Sequence, residues 1–251
     1  MPLPLALTMG EPAGIGGEIA LKAWLGRHHG VPPFYLIDDP WRLAGLVRRL
    51  GWSVPLVVTE PAAAEAAFAD ALPVLPVGGA VQATAGSPDP ADAALVIGAI
   101  DAAVAQVRAG QAAAIVTNPI NKDVLYRAGF RHPGHTEYLA ELAGGPESVI
   151  KSVMMLASAE LRVVPVTIHL PLRQAVAQLS TAMIVEAGHI THQALRRDFA
   201  IPAPVLAVAG LNPHAGEGGA LGHEDIEIVA PAVAALRAAG VDAQGPLAAD
   251  T

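Results

Sequence analysis

Cysteine is absent from the 251 residues, which excludes disulfides, thiolate metal sites and a thiol nucleophile together. A metal would have to be held by histidine, carboxylate or water. Basic clusters are also lacking: 15 Lys plus Arg stand against 23 Asp plus Glu, for a formal charge of −8, and the longest basic pieces are pairs such as Arg48-Arg49 and Arg196-Arg197. Binding nucleic acid through its backbone needs a positive surface, so no nucleic-acid partner is expected, although a local phosphate pocket is compatible with this balance. No uninterrupted apolar run reaches the roughly 18 residues of a membrane span. The opening MPLPLALTMGEPAG has no basic n-region and meets Gly10 and Glu11 too early for a signal peptide. These absences predict a cytoplasmic protein with no membrane partner.

What is present is enough apolar material, 53% of residues, for one large or two ordinary domains. Short apolar runs (PLALTM, PFYLID, VPLVVT, AAIVTN, SVMML, LRVVPVTI and PVLAVAG) read as strands and alternate with helical patterns. Asp39-Pro40 and Asp89-Pro90 each fit an N-cap followed by proline at the first helical position, and the second helix should stop at Gly110. This predicts an α/β fold: a layered, mixed but largely parallel sheet with helices on both faces. The Pro/Gly-rich stretch from Leu72 to Pro90 is the expected crossing between subdomains, and PLAADT reads as a tail after a turn, with no closing element.

Ligands of such sheets bind beyond the carboxyl ends of strands, and TMGEPAGIGGE, TNPINK, TIHLPLR and GLNPHAGEGG all fall there. His169 and His214 sit in matching contexts, each after an apolar run, and two imidazoles so placed could share a divalent metal; each could equally bond a neighbouring loop carbonyl. The loop Thr8–Glu18 leads from a strand into a helix, where free amides favour an anion. It matches neither GxGxxG nor a P-loop, so a tight turn needing positive φ is the competing account. In HPGHTEYLAEL, His135 and Thr136 precede a helix and either grip an acidic ligand or, for Thr136, supply an N-cap. Lys122 in TNPINK offers a cation nearby in sequence, unless it is an ordinary solvated lysine.

Taken together and in order, TMGEPAGIGGE, TNPINK, GHTEYL, VTIHLPLR, GLNPHAGEGG and the final ADT closely resemble the 4-hydroxythreonine-4-phosphate dehydrogenase family of pyridoxal phosphate biosynthesis. The resemblance covers essentially all of residues 1–251 as one catalytic unit. It implies a fold related to isocitrate and isopropylmalate dehydrogenases, with two subdomains and the active site in their cleft. It further implies a homodimer that uses NAD or NADP and a divalent metal (zinc, magnesium or cobalt). The reaction so implied oxidises C3 of 4-phosphooxy-L-threonine, after which decarboxylation gives 3-amino-2-oxopropyl phosphate. Carried over residue by residue, His169 and His214 are metal ligands, and His135 and Thr136 bind the small phosphorylated substrate.

Two features depart from the family pattern. Position 118 is Asn where many relatives carry a small residue. Relatives also continue past ADT into a segment with a third metal histidine and further substrate contacts, so residues 1–251 are expected to be C-terminally incomplete and not to turn over substrate. Related enzymes acting on threonate or erythronate 4-phosphate, and an incomplete fragment that only binds a ligand, are the alternative readings.

Overall fold

The computed structural model describes residues 3–144 and 150–250. They fall into two compact units, Met1–Lys151 and Ser152–Thr251, and the Leu72–Pro90 stretch lies inside the first of them.

The first unit is built on five parallel strands, β1 (Leu5–Thr8), β2 (Phe34–Asp38), β3 (Leu56–Val58), β4 (Leu72–Pro76) and β5 (Ile115–Val116), in the spatial order β3-β4-β2-β1-β5. Parallel neighbours need crossovers, which are supplied by α1 (Gly16–Leu25), α2 (Pro40–Leu50), α3 (Pro61–Ala67) and α4 (Ala93–Arg108). Because strand side chains alternate between faces, each strand feeds two cores. Leu7, Phe34, Leu36 and Val74 join Leu21 and Trp24 of α1 and Leu43 and Leu46 of α2 on one face. Ala6, Tyr35 and Ile37 join Ala64 of α3 and Ala99 and Ala103 of α4 on the other. Pro90–Arg108 is long and apolar enough, by length and composition alone, to cross a membrane, yet Val96, Ala99, Ile100 and Ala103 are buried in the protein core.

The two expected caps form. The Asp39 side chain accepts the Trp41 N–H at 2.8 Å and the Asp89 side chain accepts the Ala91 N–H at 2.9 Å, each satisfying an amide that the first helical turn leaves free. Asp89 opens a 3-10 turn, Pro90–Asp92, that runs straight into α4. Gly110 follows the helix with φ of 68°, a conformation that glycine adopts without a Cβ clash.

One element was hidden by its prolines. LPVLP forms β4, inserted between β2 and β3, although proline normally avoids interior strands because it offers no N–H. Leu72 and Val74 are fully buried there, and removing those two side chains from water stabilises the strand by about 1.5–3 kcal/mol each.

After β5 come α5 (Lys122–Arg127) and α6 (His135–Gly144). The second unit contains a short antiparallel pair, β6 (Leu156–Ala157) and β7 (Arg162–Val163), then α7 (Leu172–Gln178), α8 (Thr181–Arg197), β8 (Val205–Ala209), α9 (Ala230–Ala238) and β9 (Asp242–Leu247). Its core joins Ile184 of α8, Val233 and Leu236 of α9, and Ala243 of β9. The two helices touch closely at Gly188, where a Cβ would meet both Leu236 methyls at 2.8 Å.

Three sequence expectations are corrected in this unit. The run SVMML contributes only Leu156 to a strand, and VTIH forms none: β7 ends at Val163. Strand propensity reflects fit to a pleated, partly buried surface, and residues 164–168 pair with no other strand among the described residues. Conversely, the segment read as a turn and tail contains β9, which pairs in parallel with β8 and buries Ala243.

Candidate active site

In the first unit the strand order turns at β1. The chain leaves β1 for β2 on one side, and later returns over the opposite face through α4 to add β5 on the other. The crevice beyond the carboxyl ends of two such strands is where open parallel sheets bind ligands. TMGEPAG and TNPINK meet there. The Glu11 N–H donates to the Pro119 carbonyl at 2.8 Å, and the buried Asn118 donates from Nδ2 to the Thr8 carbonyl at 2.9 Å and from its backbone N–H to Thr8 Oγ1 at 3.3 Å. Asn118 thus staples the second loop to the end of β1. Gly10 has φ of 68°, and a Cβ on it would lie 2.6 Å from the Pro119 carbonyl oxygen, so the loop needs glycine for both conformation and space. One amide offered at this turn is already taken, because Glu11 Oε1 accepts the Ala13 N–H at 3.0 Å. The tight-turn account therefore fits this loop better than an anion cradle.

The same TNPINK loop carries Lys122 to the start of α5, where the Asn121 side chain accepts the Val124 N–H at 3.3 Å as N-cap. Across from it begins α6. Thr136 is not the cap of this helix: α6 starts at His135, and the Gly134 carbonyl accepts the Tyr138 N–H at 3.4 Å, which gives the capping position to Gly134. His135 Nε2 and Glu137 Oε2 are both buried with no hydrogen-bond partner among the described residues. Buried polar atoms are nearly always paired in native proteins, so these two mark a place where water or a ligand belongs. Burial, and then the positive charge of Lys122, hold the His135 imidazole below its ordinary pKa. The helix is fixed by Tyr138, which stacks edge-on with Phe130 at 5.1 Å and donates to Asp101 of α4 at 2.5 Å.

The second unit holds the other two predicted site residues. His169 is exposed, in irregular chain before α7, and His214 is exposed in the turn after β8. Both adopt positive φ, 57° and 52°, a region that non-glycine residues enter at a cost of roughly 1–3 kcal/mol and that concentrates at functional sites. His214 begins a run of six positive-φ residues, through Gly219, of which His214, Ala215 and Glu217 are not glycine. That turn is pinned from both sides. The buried Asp225 accepts the Leu211 N–H at 2.7 Å and the Asn212 N–H at 3.0 Å. Asp250 accepts the His214 N–H at 3.2 Å, and its other oxygen stands 3.4 Å from His214 Nδ1. A carboxylate beside one imidazole nitrogen is how metal-binding histidines are commonly oriented, leaving Nε2 as the donor. Among the described residues, however, no group of three or more His, Asp or Glu side chains is arranged to hold a metal.

Asp225 and Asp250 were not singled out from sequence, and Asn118 stood out only as a departure from the family pattern, with no sign of its bond to Thr8. Asp250 lies within the ADT motif, but a lone aspartate near an apparent tail carries no local signal, and its partner is 36 positions away.

Comparison with known proteins places this geometry. The family described as "Pyridoxal phosphate biosynthetic protein PdxA" matches residues 36–251. The 4-hydroxythreonine-4-phosphate dehydrogenase of Methylorubrum populi is 54% identical over 253 residues, covering 99% of this chain and 72% of that protein. Among solved structures, the enzyme of the same name from Klebsiella pneumoniae superposes with a TM-score of 0.86 at 35% identity, covering 99% of this chain and 76% of that one. One from Burkholderia phymatum gives 0.87 at 30% identity, covering 100% and 75%. The parallel sheet, the docked loops at its switch point and this degree of identity agree: the chain belongs to the PdxA family of 4-hydroxythreonine-4-phosphate dehydrogenases.

Proposed function

We propose that residues 1–251 belong to one catalytic unit that oxidises C3 of 4-phosphooxy-L-threonine with NAD or NADP as hydride acceptor, followed by loss of the C1 carboxylate as carbon dioxide. On the family resemblance the enzyme works as a cytoplasmic homodimer. The observation that carries the substrate reading is the amino end of α6, where His135 Nε2 is buried and unpartnered beside a lysine. A phosphorylated hydroxy acid offers oxygen acceptors for such a place, and the first-turn amides of a helix favour its charge.

His135 and Thr136 bind and orient this substrate. With its pKa lowered, His135 is neutral near pH 7 and acts as a hydrogen-bond partner instead of a counter-ion. Thr136, at the second position of α6 and free of a capping duty, offers its hydroxyl as donor or acceptor. Fixing the substrate away from its reacting carbon lowers the entropy lost on reaching the transition state.

His169 and His214 are the residues that would hold a divalent ion such as zinc, magnesium or cobalt. Their donor chemistry fits, as does the Asp250 carboxylate beside His214 Nδ1; the remaining positions fall to water or other donors. When bound, such an ion supplies a Lewis acid for the negative charge that develops on oxygen as hydride leaves carbon.

The test is NAD(P)H formation with 4-phosphooxy-L-threonine and added zinc, magnesium or cobalt, run beside threonate and erythronate 4-phosphates. Preference for the four-carbon sugar acids would overturn the substrate assignment and favour that alternative.

A further inference from the structure

Lys122 makes no hydrogen bond or ion pair among the described residues and is exposed at the first position of α5. Its location is nevertheless tightly specified. The loop that delivers it is held to β1 by Asn118, to the Gly-rich loop through the Pro119 carbonyl, and to α5 by the Asn121 cap. An ordinary solvated lysine needs none of these. The side chain reaches back over the amino end of the next helix: a Cβ placed on Gly134, the buried capping residue of α6, would lie 3.7 Å from Lys122 Nζ and 3.5 Å from Glu137 Oε2. Three features of one sign therefore converge at this spot: the ammonium, the positive end of α6, and the unpaired donors of its first turn. The Glu137 carboxylate approaches the same point but forms no ion pair with Lys122 among the described residues.

We propose that Lys122 is a further substrate-binding residue, its ammonium pairing with an anionic group of the substrate, phosphate or carboxylate, at the amino end of α6. This rests on the reading that His135 and Thr136 bind substrate there. Since His135 is neutral, Lys122 supplies the positive charge that the imidazole does not. The charge also helps to hold His135 neutral, so the two residues divide the work of recognition between a full charge and a directional hydrogen bond.

The experiment compares Lys122→Met and Lys122→Arg with the parent protein by calorimetric titration, using 4-phosphooxythreonine and unphosphorylated 4-hydroxythreonine as ligands, with melting temperature as the fold control. Methionine keeps the length and apolar stem of lysine without its charge. Losing one charge-assisted contact should raise Kd for the phosphorylated ligand by about 10- to 100-fold, with an unchanged melting temperature and partial recovery in Lys122→Arg. Weakening confined to the phosphorylated ligand assigns the contact to phosphate, and equal weakening of both assigns it to the carboxylate. Unchanged binding of both in Lys122→Met overturns the proposal. His135→Ala is measured in parallel: if it weakens binding while Lys122→Met does not, only the role of Lys122 falls. If neither variant weakens binding, the reading of α6 as the substrate site falls with it.

Discussion

Asp38 gives a stability prediction whose sign and size follow from its surroundings. It ends β2, is fully buried, and uses Oδ1 to accept the Asp39 N–H at 2.7 Å. Oδ2 makes no hydrogen bond among the described residues; Arg42 Nη1 stands 3.6 Å from it. Burial pushes the carboxyl up from 3.8 to about 6, against the opposing pull of Arg42 and the Asp39 amide and with a smaller push from the Asp39 charge. A folded-state pKa above the unfolded value means that the native protein holds the proton more tightly between about pH 4 and 6. Stability therefore falls as pH rises through that window and levels off above it. A shift of about two units corresponds to roughly 3 kcal/mol. Asp38→Asn keeps the acceptor for Asp39 and removes the titration, so the difference in unfolding free energy between parent and variant should move by about 3 kcal/mol in the variant's favour from pH 4 to pH 7. Part of the absolute gain is offset by leaving Arg42 without its carboxylate, which makes the pH-dependent difference the diagnostic quantity. Urea unfolding followed by tryptophan fluorescence is suitable, since Trp24 is buried in the same unit. Parallel pH profiles for the two proteins would show that Asp38 titrates normally and that the burial argument fails.

Three further outcomes are expected. Asp250→Asn should weaken zinc binding about 10- to 100-fold in calorimetric titration, because the carboxylate beside His214 Nδ1 is lost; affinity equal to that of the parent would remove Asp250 from the metal's surroundings. Thr136→Ala should leave the melting temperature nearly unchanged, since Gly134 holds the capping position, while raising the substrate concentration needed for half-saturation. A stability loss of about 1 kcal/mol with normal substrate binding would restore the capping account. Gly10→Ala should destabilise by more than about 1 kcal/mol in thermal unfolding, because it combines φ of 68° with a Cβ 2.6 Å from the Pro119 carbonyl oxygen.

The features legible in sequence are those set by neighbours along the chain. Asp39-Pro40 and Asp89-Pro90 start helices because a side-chain oxygen two residues back satisfies a free amide, and β2 reads as a strand because PFYLID fills both faces of a covered sheet. The ordered motifs also identify the family. Features that depend on distant partners were not legible. Leu72–Pro76 is a strand only because β2 and β3 flank it and bury Leu72 and Val74, whereas VTIH, with better strand residues, has no neighbour to pair with among the described residues. The site divides in the same way. His135 and Thr136 are adjacent in sequence and share a helix end by necessity, but the approach of Lys122 to that end depends on a loop docked against β1. His214 meets Asp250 because β8 and β9 pair in parallel, Ala209 opposite Leu247. Parallel strands place their carboxyl ends on the same side, so the turn after one and the residues after the other are brought together however far apart they lie in the chain.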